Sequence, residues 1–226
     1  MPMPFYVAPE QLMKDRSDYA QKGIARGRPA IALEYADGIL FIADNPSTHL
    51  YKISELYDRI AFAAVGKYSE FENLRIAGVR LADVRGYSYG RDDVTAKSIA
   101  NAYSQGLANI FTQEMKPYEV ELLVAQVGER PEDNELFHIL YDGSVTDEDG
   151  FVAMGGESQD IADRLKGGYG AEMPLADAAR FGVDTIRSQN GEDVTPARLE
   201  VAVLDRNRRR RKFHRLPDEE LATLLG

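Results

Sequence analysis

The sequence predicts an α+β domain in which helices cover both faces of stacked sheets. Three observations carry that expectation. Strand-like and helix-like segments come in groups: strands, two helices, strands, two helices, strands. Ile60–Val65 (IAFAAV) is short and apolar throughout, which reads as a strand buried on both faces. Asp37-Gly38 and Asp142-Gly143 are turn signals between strand-like runs, so antiparallel hairpins are expected. Paired helices and hairpins together point to helices packed on sheets. The pattern alone fits more than one α+β sandwich. No repeat, low-complexity segment or long linker divides the 226 residues, so one domain is expected.

Taken in order, residues 1–8 (MPMPFYVA) hold two prolines, two aromatics and no charge, which argues against a helix. By composition alone they read as a frayed terminus. Pro9 suits a first helical position, and a helix is expected from there to about Arg26. Met13, Ala20 and Ile24 form its narrow apolar side, so it should lean on a neighbour. Gly27 is a candidate cap. Strands are expected at Ala30–Tyr35 and Ile39–Ala43, then a turn at Asn45-Pro46-Ser47. After the strand Ile60–Val65, Gly66 ends the run and Ser69-x-x-Glu72 reads as a capping box. Phe71, Leu74, Ala77, Gly78, Leu81 and Ala82 recur at helical spacing as one buried stripe.

A second helix is expected over Thr95–Glu114, with Ile99, Tyr103, Gly106, Leu107 and Ile110 inward. Strands follow at Val120–Val127, Glu135–Tyr141 and Phe151–Met154. Helices follow at Ser158–Lys166 and Pro174–Ser188, the latter burying Leu175, Ala178, Ala179, Gly182 and Ile186. Leu199–Leu204 and Lys212–Leu216 read as a last hairpin, and Asp218–Leu225 as a short helix.

Composition narrows function. A net charge of −10 argues against general nucleic-acid binding, which needs a basic face. With no cysteine, disulfides, thiolate nucleophiles and Cys-ligated zinc are excluded. No basic-then-apolar signal pattern opens the chain, and no apolar run approaches the roughly 20 residues of a membrane span. A cytoplasmic protein is expected. His49, His138 and His214 lack metal-ligand spacing. Val65-Gly66-Lys67-Tyr68 lacks the first glycine and the hydroxyl residue of a phosphate loop. No G-x-S-x-G occurs. No cofactor is expected. Gly167-Gly168-Tyr169-Gly170 reads as a helix end. Arg206, Arg208–Arg211, Lys212 and Arg215 form a basic run; a solvated turn near the acidic Asp218-Glu219-Glu220 is favoured over a nucleic-acid or acidic-partner site.

The chain also carries a resemblance. Lys52-Ile53, Asp58-Arg59-Ile60, the apolar strand, Gly66 and Asn73-Leu74-Arg75 follow one another as in the α-subunits of actinobacterial 20S proteasomes. Pro9-Glu10-Gln11, Lys22-Gly23-Ile24-Ala25-Arg26, Lys116–Leu122, Tyr141–Ser144, Met154-Gly155-Gly156 and Leu199–Asp205 extend it over nearly the whole chain. The sequence resembles that family by the order and spacing of these segments together.

The resemblance implies the four-layer αββα sandwich of the N-terminal-nucleophile hydrolases. It implies a division into a gate segment (1–8), a ring-contact helix (9–27) and the sandwich core (28–226). It implies a seven-membered ring stacked on a ring of β-subunits. It also implies a ring ATPase activator that handles proteins tagged with prokaryotic ubiquitin-like protein (Pup). Lys52 is implied to pair with the C-terminal carboxylate of an activator tail in a pocket between subunits, with Gly66, Gly27 and Asp18 contributing. Pro2, Met3, Pro4, Phe5, Tyr6, Val7 and Ala8 are implied to restrict access to the chamber. The Tyr-Asp-Arg gate tract of archaeal and eukaryotic relatives is replaced here by MPMPFYVA.

In that fold the nucleophile must be the first mature residue, a Thr, Ser or Cys whose free amine serves as base. No such residue opens the strand at Pro29-Ala30, so no catalytic residue is expected. Two alternatives stand beside the ring subunit: a stand-alone hydrolase with an unrecognised nucleophile, and a basic-hairpin nucleic-acid module. Taken as a surface residue, Lys52 would be unremarkable, since lysines are mostly exposed.

Overall fold

The computed structural model describes residues 8–190 and 194–226. In chain order the elements are α1 (Pro9–Ala25), β1 (Ala30–Tyr35), β2 (Gly38–Asp44), β3 (Ile53–Tyr57), β4 (Ile60–Gly66) and α2 (Tyr68–Ser88). Then come α3 (Ala96–Gln113), β5 (Val120–Gln126), β6 (Glu135–Ile139), β7 (Val145–Asp147) and β8 (Phe151–Met154). The chain closes with α4 (Ser158–Gly168), α5 (Leu175–Asn190), β9 (Leu199–Asp205), β10 (Phe213–Arg215) and α6 (Asp218–Leu225). The strands form two antiparallel sheets, ordered β10-β9-β2-β1-β8 and β3-β4-β5-β6-β7. The α+β sandwich read from the sequence is the observed architecture.

The period-2 alternation of β4 explains the layers. Ile60, Phe62 and Ala64 pack outward against Phe71 of α2 and Ile99, Tyr103 and Leu107 of α3. Ala61, Ala63 and Val65 point the other way, against Phe41 of β2 and Ala202 of β9 in the other sheet. Both faces are buried, so every residue must be apolar, and the run looks continuous in sequence. The other sheet turns Ile31, Leu33, Leu40 and Ile42 onto Ile161, Val183 and Ile186 of α4 and α5. Ala20 and Ile24 of α1 join the cluster between the sheets, so α1 covers one end of the sandwich.

Four local expectations are corrected. The capping box at Ser69 and Glu72 does not form: α2 starts two residues earlier, with Lys67 at the N-cap and no side-chain cap. Glu72 turns instead to Arg75, which donates to it twice at 2.8 and 2.6 Å. Glu70, not Ser69, serves the entrance to the helix, accepting from the Glu119 amide at 2.7 Å. At the first hairpin Tyr35 pairs with Gly38, so the turn is Ala36-Asp37 and Gly38 already lies in the strand. Gly38 is needed for proximity: a Cβ there would lie 1.8 Å from the Leu204 carbonyl oxygen of β9. Strand β7 is exposed along its length, so it had no apolar signal and was missed. Ala77 lies on the exposed side of α2, away from the stripe assigned to it.

Candidate functional site

The organising group of the site is a buried carboxylate. Glu200 of β9 is 7% exposed, and its two oxygens serve four donors. They accept from the backbone amides of Lys52 (2.8 Å) and Ile53 (3.0 Å) and from Asn45 Nδ2 (2.8 Å). The fourth donor is the Arg215 guanidinium. Arg215 also donates to the Ile53 carbonyl at 2.6 Å and stacks over the Tyr51 ring at 4.0 Å. One carboxylate on the first sheet thus pins the start of β3 on the second. A charge buried this deeply is tolerated only when its lone pairs are filled, as here.

Lys52 leaves that anchor half-buried. Its Nζ donates to the Arg28 carbonyl at 2.8 Å, just ahead of β1. Burial pushes its pKa down to about 8, and the nearby Arg28 cation acts in the same direction. Asp44 and Glu200 partly oppose this. Asp44 is 1% exposed and holds two guanidinium groups, Arg28 at 2.9 Å and Arg198 at 3.2 Å.

Gly27 and Gly66 meet beside this point. The Gly27 amide donates to Ile24 at 2.8 Å, with Arg26 at the C-cap in the right-handed helical region, so Gly27 follows the helix without a left-handed cap. A Cβ on Gly27 would lie 3.3 Å from the Gly66 amide nitrogen. Gly66 itself has φ +102°, a conformation that disfavours side chains, and a Cβ there would strike the Glu119 carbonyl at 2.0 Å. On the Arg28 side an open groove of about 340 Å³ is lined by residues that include Arg26, Gly27, Arg28, Asp44 and Arg198. Three guanidinium groups line this groove, and Asp44 already pairs with two of them, Arg28 and Arg198.

The structure therefore brings Lys52, Gly27 and Gly66 together within one subunit. Asp18 is exposed on α1, seven residues before its last residue, which is about 10 Å of helix. It is not part of that group in a single copy. Ala8 is exposed, and its carbonyl accepts from Leu12 at 3.1 Å, which starts α1. Pro2, Met3, Pro4, Phe5, Tyr6 and Val7 lie outside the described residues.

Sequence reasoning missed Glu200, Asp44 and Arg215 as site residues. A signal was present for the first: a lone acid inside the apolar run LEVAVL must be buried with partners. Glu121 in VELLVA repeats the pattern. It meets His138 Nε2 at 2.6 Å and accepts from the Gly155 amide at 3.0 Å. His214 pairs with Glu220 at 3.1 Å, while His49 is exposed. Among the described residues no group of His, Asp and Glu is arranged to hold a metal, and no helix is long and apolar enough to cross a membrane.

The basic run is only partly the solvated turn expected. Arg208–Arg211 are exposed, but Arg206 donates to the Gly128 carbonyl and Lys212 to the Arg206 carbonyl. Arg211 pairs with Glu55 and Arg215 with Glu200. The hairpin folds back over β3, so its stem residues find partners there.

Comparison with known proteins agrees with this geometry. The family model described as "Proteasome subunit" matches residues 24–204. Proteasome subunit alpha of Kineococcus radiotolerans is 58% identical, over 100% of this chain and 99% of the relative. That of Thermobifida fusca is 55% identical over 100% and 91%, and that of Geodermatophilus obscurus 55% over 100% and 82%. With the sandwich, the α1 extension ahead of β1 and full-length identity all in agreement, the chain belongs to the proteasome subunit family, among its α-type members.

Proposed function

We propose that this chain is a non-catalytic structural subunit of a proteasome α-ring. Its proposed roles are to control access to the proteolytic chamber and to dock the C-terminal tails of an activator. The observation that carries the reading is the junction Arg28-Pro29-Ala30. The strand that would begin with a nucleophile is entered through a peptide bond, after a helix, in a chain that matches α-type subunits from end to end. No free amine or hydroxyl stands there to act as base or nucleophile. Catalysis then belongs to a β-subunit ring, and the whole is a threonine endopeptidase complex.

Seven copies form each ring in this reading, α1 makes ring contacts, and residues 1–8 form the gate. Residues 9–27 and 28–226 keep the division given above. A ring-shaped ATPase of the Pup pathway docks its tails where Lys52, Gly27 and Gly66 converge. Asp18 joins them from the neighbouring copy, since within one copy it stands apart. Nucleic acid and membrane are not partners, and the setting is the cytoplasm, where a chain without cysteine is at no disadvantage.

Native mass spectrometry and electron microscopy of the complex purified through this chain test the assignment. A seven-fold ring carrying a second chain that begins with threonine is expected. A monomer or dimer that hydrolyses peptides alone overturns it in favour of a stand-alone hydrolase. For the gate, deleting residues 2–8 should raise hydrolysis of short peptides by the assembled particle several-fold; an unchanged rate would remove those residues from the gating role.

A further inference from the structure

The two edges of the sandwich carry opposite charge. Residues 131–163 contain ten Asp and Glu and no Lys or Arg. Residues 206–215 contain seven Lys and Arg and no Asp or Glu. The fold sends most of each segment to opposite sides, although Asp133 lies near enough to Arg206 for their charges to interact. The first forms β6, β7 and β8, and β7 and β8 are the outermost strands of their sheets on one side. The second forms the turn after β9 and β10, and β10 and β3 are the outermost strands on the other. The sheets are stacked in the same sense, with β3 over β9 and β8 over β5 and β6.

Both edges keep charge available. On the acidic side Asp147 and Asp149 are exposed, and among the described residues neither takes part in an ion pair. On the basic side the same holds for Arg208, Arg209 and Arg210. Arg211 and Arg215, by contrast, are spent on Glu55 and Glu200.

We propose that the β10/β3 edge of one copy, through Arg208 and Arg209, docks against the β7/β8 edge of the next copy, through Asp147 and Asp149. This rests on the reading of the chain as a ring subunit and gives that ring its direction. A two-fold dimer would place each edge against itself, basic on basic and acidic on acidic. A head-to-tail contact places unlike edges together at every junction, and repeated contacts of that kind form a ring wherever the rotation from copy to copy closes. The charges also protect an open sheet edge, because an unpaired strand invites indiscriminate partners. Complementary charge restricts the partner to a second copy and sets its orientation.

Charge reversal tests this, since every copy carries both edges. Arg210 is left alone because its φ of +64° adds strain to any substitution. R208E/R209E alone, or D147K/D149K alone, sets like charge against like at each junction. Each should lower the fraction of chain found in rings by about tenfold or more at low salt, because such contacts cost several kcal/mol. The four-fold variant R208E/R209E/D147K/D149K restores unlike charge with the sign exchanged, and its ring fraction should return close to that of the unaltered protein. Thermal melts of each variant confirm that the exposed changes leave the subunit folded.

If either two-residue variant forms rings as readily as the parent, or the four-fold variant stays as impaired as the pairs, the proposed junction is wrong while the ring reading stands. If the parent complex contains no ring of this chain, both fall.

Discussion

Replacing Glu200 with alanine lowers the stability of the subunit by about 3–5 kcal/mol, the usual cost of breaking a buried ion pair from one side. For a domain of this length that is roughly 10 °C in Tm. The reason is the number of groups left without partners. Arg215 loses its counter-charge, and the amides of Lys52 and Ile53 and the Asn45 side chain lose their acceptor. Each unsatisfied group buried away from water costs about 1–3 kcal/mol. E200A/R215A removes the uncompensated cation but not the two orphaned amides, so it should recover only part of the loss. Urea unfolding of the parent, both single variants and the double variant measures all of this. A change below about 1 kcal/mol for E200A would mean that water replaces the carboxylate at no cost, and the anchor assigned to it would be lost.

Replacing Lys52 with alanine removes most of the response of the assembled particle to an activator tail, an effect of about tenfold to a hundredfold in affinity for a charge-assisted contact of about 1.5–3 kcal/mol. The ring itself should persist, because the Lys52 backbone, not its Nζ, is what Glu200 holds. The depressed pKa gives the contact a pH signature. Lys52 ordinarily titrates near 10.5 and here near 8. Below about pH 8 it is charged both folded and unfolded, and its burial counts against the fold. Between about 8 and 10.5 the unfolded chain holds a proton that the folded one has released, so its unfavourable contribution fades as pH rises.

Tail binding runs the other way. A carboxylate needs the ammonium, so affinity should fall as pH climbs through about 8. K52R, which stays charged, should flatten that fall. Titrating a carboxylate-terminated peptide against the particle from pH 6.5 to 9.5 measures it. A profile identical in the parent and K52R would put the tail somewhere other than Lys52.

The layered fold was largely legible because burial on both faces leaves a strong mark. IAFAAV and VELLVA could hardly be anything but inner strands, and the helices announced themselves by their spacing. What was lost in reading lay at the surface or across the chain. β7 has no buried side chain, so its pairing with β6 is written in backbone hydrogen bonds alone. The start of α2 was misplaced because Ser69 and Glu72 have the right spacing for a cap, while Glu72 pairs instead with Arg75.

The sequence by itself determined the α+β class, the lack of a Thr, Ser or Cys at Pro29-Ala30 and the family resemblance, and the interest of Lys52, Gly27 and Gly66 came only with that resemblance. The first three depend on residue type and on the order and spacing of segments. Only the tertiary structure decided that Glu200, 148 residues away, fixes the Lys52 backbone, and that Gly27 and Gly66 touch. It alone decided that β10, beside the basic turn, and β7 and β8, beside Asp147 and Asp149, lie at opposite edges of the sandwich. Such facts depend on strand order, and strand order is set by which faces can be buried together, a property of the folded whole that no local stretch contains.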